Sequence, residues 1–336
     1  MKILLDISGA DKGFEIVINA AITVVDKIKS TIVLVGKKQD IYNIFKKLKK
    51  EEYINKFEIL ECIEYISNNE EPAFAIKNKK ESNLVKAFDY MKMNNETALI
   101  SASSTGALMA GGLLKLGRIN KIHRPALLTL LPNTTRNKPI IFLDSGANIE
   151  AKELSIVQYA LLGEVYAKNV LHITNPKIAL LNVGAEEEKG TILLKNVHKT
   201  LKETNNNFIG NIEPRYILNS DVDVVICDGL MGNVTIKALE GAVITLKNSL
   251  KKEFSKNLLN KIKAIISKDI LKNVLSKFDY TKLGGAVLIG IKKPVIKVHG
   301  SSNSLCYEKA LYQADLMLKE KIIDKIKEDL EKKGND

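Results

Sequence analysis

Seven short runs of Ile, Val and Leu, separated by longer amphipathic stretches, set the strongest constraint on how this chain folds. They are KILLDI (2–7), TIVLVG (31–36), TALISA (97–102), ALLTLL (126–131), IIFLDS (140–145), KIALLNV (177–183) and VDVVICD (222–228). Within each run the apolar residues are continuous rather than alternating, as expected of strands covered on both faces. Residues 150–170 and 303–332 instead carry helical period. The alternation predicts an α/β fold: a doubly wound, mostly parallel sheet flanked by helices, Rossmann-like in layout. With 336 residues, no internal repeat and no linker rich in Pro, Gly or Ser, the expectation is one α/β domain over 1–336.

Cysteine usage and charge narrow the function class. Cys62, Cys227 and Cys306 are an odd number without a CxxC pair, which fits a reduced cytoplasm and argues against a disulfide framework or zinc ribbon. No HExxH, paired-His or Cys/His spacing suggests a dedicated metal, and no GxSxG elbow marks a serine nucleophile. Residues 1–20 carry Asp6, Asp11 and Glu15, so no signal-peptide pattern is expected, and no apolar run reaches the roughly 18 residues of a membrane span. The net charge is +12, from 51 basic and 39 acidic residues. Such a surface suits an anionic partner, but no zinc-finger spacing, aromatic RNP strand or Arg cluster points to nucleic acid.

In doubly wound folds, ligands bind beyond the carboxyl ends of the strands. Small and polar residues collect there: SASSTGALMAGG (101–112), DSGANIEAK (144–152), GAEEEKG (184–190), CDGLMGNVTIK (227–237), and HGSSN (299–303) after PVIKV. Glycines permit close backbone approach, and helix N-termini offer unpaired N–H groups. The five exits together predict one anion-binding crevice. Within it, GAEEEKG alone admits three readings: a metal site, an anion site built around Lys189, or a solvated turn.

Residues 245–279 stand apart. Leu246, Leu250, Phe254, Leu258, Ile262, Ile265, Ile266, Ile270, Val274, Leu275 and Phe278 form a helical stripe. Nine lysines against Glu253, Asp269 and Asp279 give the segment a local charge of +6. Two readings stand: a pair of helices packed on the core or on a second subunit, or a basic amphipathic element touching anionic membrane or an acidic partner.

Several dispersed motifs then fall in one order: TGALMA (105–110), GRI and RPAL (117–119, 124–127), LDSGAN (143–148), NVGAEEEKG (182–190), FIGNIE (208–213), VDVVICDG with the following GNV, Lys and EG (222–241), GGAVLIG (284–290) and HGSSN. By these the chain resembles the bacterial phosphate acyltransferases of phospholipid synthesis, from residue 2 to about residue 314. It departs in DISGADKG, which keeps only Asp6, Gly9 and Asp11 of the usual opening. It departs again in SASSTG, where Ser103 and Ser104 replace a glycine and an asparagine.

The resemblance implies transfer of a long-chain acyl group from acyl carrier protein to orthophosphate without a cofactor, in a homodimer. It leaves room for contact with the inner face of the cell membrane and with a membrane glycerol-phosphate acyltransferase. A short-chain phosphotransacylase using acyl-coenzyme A, or a non-catalytic scaffold, are the alternatives. The chemistry needs a seat for a dianion and a donor for the thioester oxyanion. Lys189 and Asn233 are the candidate catalytic residues. Thr105, Gly106, Asn148, Lys152, His299, Gly300 and Ser301 are the candidate phosphate or substrate contacts. Asp6, Asp11, Glu186 and Asp228 are the candidate orienting carboxylates. GAEEEKG is then expected to aim Lys189 at the substrate, held by at least one glutamate.

Overall fold

A computed structural model describes residues 1–67, 69–278 and 283–332. Its strands are β1 (Lys2–Asp6), β2 (Thr31–Gly36), β3 (Glu58–Glu61), β4 (Thr97–Ser101), β5 (Ala126–Leu131), β6 (Ile140–Leu143), β7 (Ile178–Leu181), β8 (Phe208–Ile212), β9 (Val224–Ile226), β10 (Ala286–Ile289) and β11 (Val295–Lys297). They form one sheet in the order β3-β2-β1-β4-β11-β10-β5-β6-β9-β7-β8. The helices are α1 (Glu15–Val24), α2 (Lys38–Leu48), α3 (Pro72–Asn78), α4 (Asn83–Met93), α5 (Thr105–Gly111), α6 (Glu153–Val170), α7 (Ile192–Thr204), α8 (Gly229–Ser255), α9 (Leu258–Ile266), α10 (Lys268–Ser276), α11 (Ser304–Lys319) and α12 (Ile322–Lys332).

All seven apolar runs form strands, and interior β4, β6 and β7 are buried at every residue. Apolar side chains on both faces of a parallel strand require helices above and below. One layer, with α1, α6, α7, α11 and α12, buries Ile3, Leu5, Ile156, Tyr166 and Leu311. The other uses α3, α4 and α5 over Leu4 and Leu99, and the start of α8 over Phe142 and Val225. The helical stretch 303–332 is two helices, α11 and α12, broken where Lys321 adopts a positive φ of 49°.

Pairing is mostly parallel, yet it reverses three times in the middle: β11 to β10, β10 to β5 and β5 to β6. Strands β6, β9, β7 and β8 therefore run opposite to β1–β4 and β11. The five strand exits do not open on one side. Those of β1, β4 and β11 face one edge, and those of β6, β7 and β9 face the other.

Helix α8 links the two edges. It leaves β9 at the second edge and runs 27 residues, about 40 Å. Strand β9 is three residues long, so the sheet supports only the beginning of the helix. The rest projects, and α9 and α10 fold back from its end. The sequence segment 245–279 is thus the tail of α8 plus two short helices; its last residue, Asp279, lies outside the described residues. Neither α9 nor α10 buries any residue, which corrects the expectation of helices packed on the core.

Candidate active site

At the first edge Asp6 ends β1 wholly buried and gathers donors from three elements. Its carboxylate accepts from the Ser8 amide (3.0 Å) and hydroxyl (2.8 Å), Asn83 Nδ2 (2.8 Å), Ser101 Oγ (2.6 Å) and Ser103 Oγ (3.3 Å). Burial raises its pKa while these donors oppose the shift. Asp6 fixes the loops that leave β1 and β4 and is walled off from solvent. The β1 loop then meets the β11 exit: the Asp11 amide donates to Gly300 O (2.9 Å), and a Cβ on Gly300 would stand 2.7 Å from Asp11 Oδ1. Only glycine lets the two loops approach so closely.

His299 opens the HGSSN loop. Its Nδ1 accepts from the Ser301 amide (3.2 Å) and lies 2.8 Å from Ser301 Oγ. With Nδ1 accepting, the neutral ring carries its proton on Nε2. Burial, then the charges of Lys297 and Lys237, hold its pKa below the usual histidine value. Thr105 and Gly106 open α5, capped by Ser104, which accepts from the Ala107 amide (3.2 Å). Gly106 packs against Pro72, where a Cβ would stand 2.8 Å from the ring.

At the second edge Asp144 has the same part after β6. Fully buried, it accepts from the amides of Leu127 (2.9 Å), Gly146 (3.2 Å), Ala147 (2.9 Å) and Asn148 (2.8 Å). Asn148 Nδ2 turns inward to Asp144 (2.9 Å), Pro125 O (2.6 Å) and Tyr159 Oη (3.0 Å), so it pins the loop. Asp228 caps α8 by accepting from the Met231 amide (2.9 Å). Lys152, just before α6, is exposed and forms no ion pair among the described residues.

Asn233 lies on the first turns of α8 with its side chain exposed and, among the described residues, without a hydrogen bond. It sits over Gly146, where a Cβ would be 3.3 Å from Asn233 Cβ. Lys189 is also exposed and forms no ion pair among the described residues. Its loop is held from behind: Asn182 Nδ2 donates to Lys189 O (3.1 Å), and Asn211 Nδ2 donates to Glu186 O (2.8 Å). Glu187 turns away to Lys202 (2.6 Å), and Glu188 reaches Lys195 (4.0 Å). Glu186 and Lys189 instead lie side by side over Gly184: a Cβ there would meet both at 2.8 Å. Among the described residues no His/Cys/Asp/Glu group fits a metal ion.

The two edges meet along α8. Asn233, Lys237 and Glu240 are spaced i, i+4, i+7 and share one helix face. Asn233 touches the β6 exit, while one turn later, about 6 Å on, the charge of Lys237 bears on Lys297 and His299 of the β11 exit. Lys237 pairs with Glu240 at 3.0 Å. The stripe thus runs between exits that the opposite strand directions separate, with Asn233 against that of β6 and the charge of Lys237 felt at that of β11. The β7 exit, with Lys189, opens beside that of β9 because the two strands pair in parallel. Asp144, Lys237 and Lys297 were not singled out from the sequence. Asp144 ends an apolar run inside LDSGAN and carried a signal; Lys237 and Lys297 look like ordinary lysines of a helix and a strand.

A cavity of about 630 Å³ lies elsewhere, among α11, α12 and the starts of β4 and β11. None of the candidate residues lines it.

Known proteins share both the sequence and the fold of this chain. The chain is 43% identical over 336 residues to a phosphate acyltransferase of Thermoanaerobacterium thermosaccharolyticum, covering 100% of this chain and 98% of that one. It is 41% identical over 332 residues to one of Clostridium acetobutylicum, covering 98% and 99%. In fold it is similar to a phosphotransacetylase from Streptococcus pyogenes (TM-score 0.63, 16% identity, 95% and 94% covered). It is also similar to a branched-chain phosphotransacylase from Enterococcus faecalis (TM-score 0.53, 14% identity, 95% and 100% covered). Residues 1–325 match the family described as fatty acid synthesis protein, and the chain belongs to that family.

Proposed function

We propose that this chain, an acyltransferase by its family, moves a long-chain acyl group from acyl carrier protein to orthophosphate. An oxygen of hydrogen phosphate attacks the thioester carbonyl carbon, the C–S bond breaks, and the phosphate proton passes to the departing sulfur. The products are acyl phosphate and the free carrier thiol. The observation that carries this reading is the α8 stripe, which sets the uncommitted Asn233 amide one turn from a cationic crevice floor. Asn233 and Lys189 are donors suited to the developing oxyanion, where charge appears only in the transition state. His299, Gly300 and Ser301 offer phosphate an Nε2–H, a close backbone and a hydroxyl; Thr105, Gly106 and Lys152 complete the rim. Asp6, Asp11, Asp228, Asn148 and Glu186 hold those groups in place. All of this falls within one domain and calls on no cofactor.

An apolar cleft of about 50 Å³ beside Glu240, lined by Leu131, Leu218, Ile236, Leu239, Val243 and Phe278, offers apolar contact to part of an acyl chain. The exposed apolar stripe of α8–α10 supports a cytoplasmic enzyme that touches a membrane surface, a second copy of the chain, or both. A membrane glycerol-phosphate acyltransferase then suits the product. The test is release of carrier thiol from palmitoyl-acyl carrier protein with and without orthophosphate. Lys189→Ala and Asn233→Ala are each expected to lower phosphate-dependent release about 100-fold or more, as for loss of an oxyanion donor, with unchanged thermal unfolding. Release that ignores phosphate sinks the reading, and native turnover in either variant removes that residue from the mechanism.

A further inference from the structure

Lys297 ends β11 immediately before the HGSSN loop and is out of keeping with its surroundings. Its Nζ donates to Ala102 O (2.9 Å) and to Val298 O (2.7 Å), two backbone carbonyls at the β4 and β11 exits. An ammonium has three donors, so one N–H is left over. Lys297 forms no ion pair among the described residues, although nearly every other buried or half-buried charge near the crevice is matched by donors or an opposite charge. Burying an ammonium without a carboxylate is costly, and a bound anion would offset that cost.

The groups around it define what fits. The charge of Lys237, exposed on α8, is felt at Lys297, while Asp6 on β1 and Asp11 on the following loop bring negative charge. Asp6 already serves five donors, and Asp11 lies against Gly300. On the open side are His299, protonated at Nε2, and the Ser301 hydroxyl. Glu240 holds Lys237 from behind. The half-buried Lys297 ammonium, the His299 imidazole N–H and the Ser301 hydroxyl beside a glycine loop, within the field of Lys237, suit a compact dianion better than a phosphodiester.

We propose that Lys297 is a phosphate-binding residue, its ammonium forming the floor of an orthophosphate subsite whose walls are Lys237 and His299. This rests on orthophosphate being the acceptor. Burial first, and Lys237 next among the opposing charges, bring the pKa of Lys297 down to about 8, against the raising influence of Asp11 and Asp6. The cation that binds phosphate is therefore present below about pH 8 and lost above it. Apparent phosphate affinity should weaken as pH rises through that value in the native enzyme. It should not do so in Lys297→Arg, whose guanidinium stays charged.

The experiment measures KM for inorganic phosphate and for palmitoyl-acyl carrier protein, and the rise in Tm that phosphate produces, in the native protein, Lys297→Met and Lys297→Arg. Lys297→Met is expected to raise the phosphate KM about tenfold or more, abolish the Tm rise and leave the donor KM within twofold. A phosphate KM within twofold of native overturns the proposal. So does a rise confined to the donor KM, which would assign the cation to the donor's phosphopantetheine phosphate. If Lys297→Met does not fold, the pH profiles of native enzyme and Lys297→Arg decide: identical declines above pH 8 overturn it. If the native enzyme releases carrier thiol without phosphate, the acceptor reading has failed rather than the subsite.

Discussion

At the scale of single residues, the site depends on glycines that leave room for a working side chain. Gly146 has a φ of 129°, and its missing Cβ would lie 3.3 Å from Asn233 Cβ. Gly146→Ala imposes backbone strain on the order of 1–3 kcal/mol and crowds Asn233. The expected outcome is a fall in kcat larger than any change in the phosphate KM, with a Tm drop of several degrees. A variant with lowered Tm but native kcat would show that Asn233 needs no such room. Residues of this kind were only partly legible in the sequence. Asp6, Asn148, Asn233 and His299 stood out because polar groups at strand exits are conspicuous after apolar runs. Lys297 and Lys237 did not, because a lysine's burial and partners are set by elements far away in the chain. In a chain with 51 basic residues, nothing local marks them.

At the scale of elements, continuous apolar runs identified β1, β2, β4, β5, β6, β7 and β9, and PVIKV marked β11, while the short interior β10 (AVLI) escaped. Edge strands β3, with pattern EILE, and β8, with FIGNI, escaped because half-exposed strands carry less apolar signal. The three antiparallel pairings also escaped: β5–β6 and β10–β11 are local hairpins whose continuous apolar strands carry no mark of direction, and β10–β5 joins partners over 100 residues apart, such as Val287 with Leu128. Helices α9 and α10 show the opposite case: the amphipathic stripe was plain, but the described residues of the chain leave it uncovered. Ile265 and Ile266 are 73% and 76% exposed in the single chain. Ile265→Asp with Ile266→Asp should therefore leave Tm within a degree or two and leave turnover of a water-soluble acyl donor unchanged. Co-sedimentation with vesicles rich in anionic lipid should drop severalfold. Native sedimentation in that double variant, or none in the native protein, sinks the membrane reading of the stripe, and a shift from dimer to monomer would assign it to a second copy.

At the scale of the whole molecule, the excess of 12 positive charges acts beyond any one contact. Many of the acidic residues are already neutralised in surface pairs such as Lys56–Asp26 and Lys202–Glu187, and the projecting segment 245–279 carries nine lysines against three acidic residues. A uniform surface charge would merely keep the protein soluble; on the proposed function, a basic projection would steer an acidic carrier toward the site. The screening length shortens from roughly 30 Å at 0.01 M salt to about 8 Å at 0.15 M, so steering should fade across that range while the short contacts within the crevice persist. The expected result is that kcat/KM for palmitoyl-acyl carrier protein falls about tenfold or more between those salt concentrations. For an uncharged short thioester offered to the same enzyme, kcat/KM should change less than twofold. Equal salt dependence for both donors would place the effect on the enzyme itself rather than on recognition of the carrier. Because inorganic phosphate is itself screened, the comparison is made at saturating phosphate, leaving only the donor's encounter to respond.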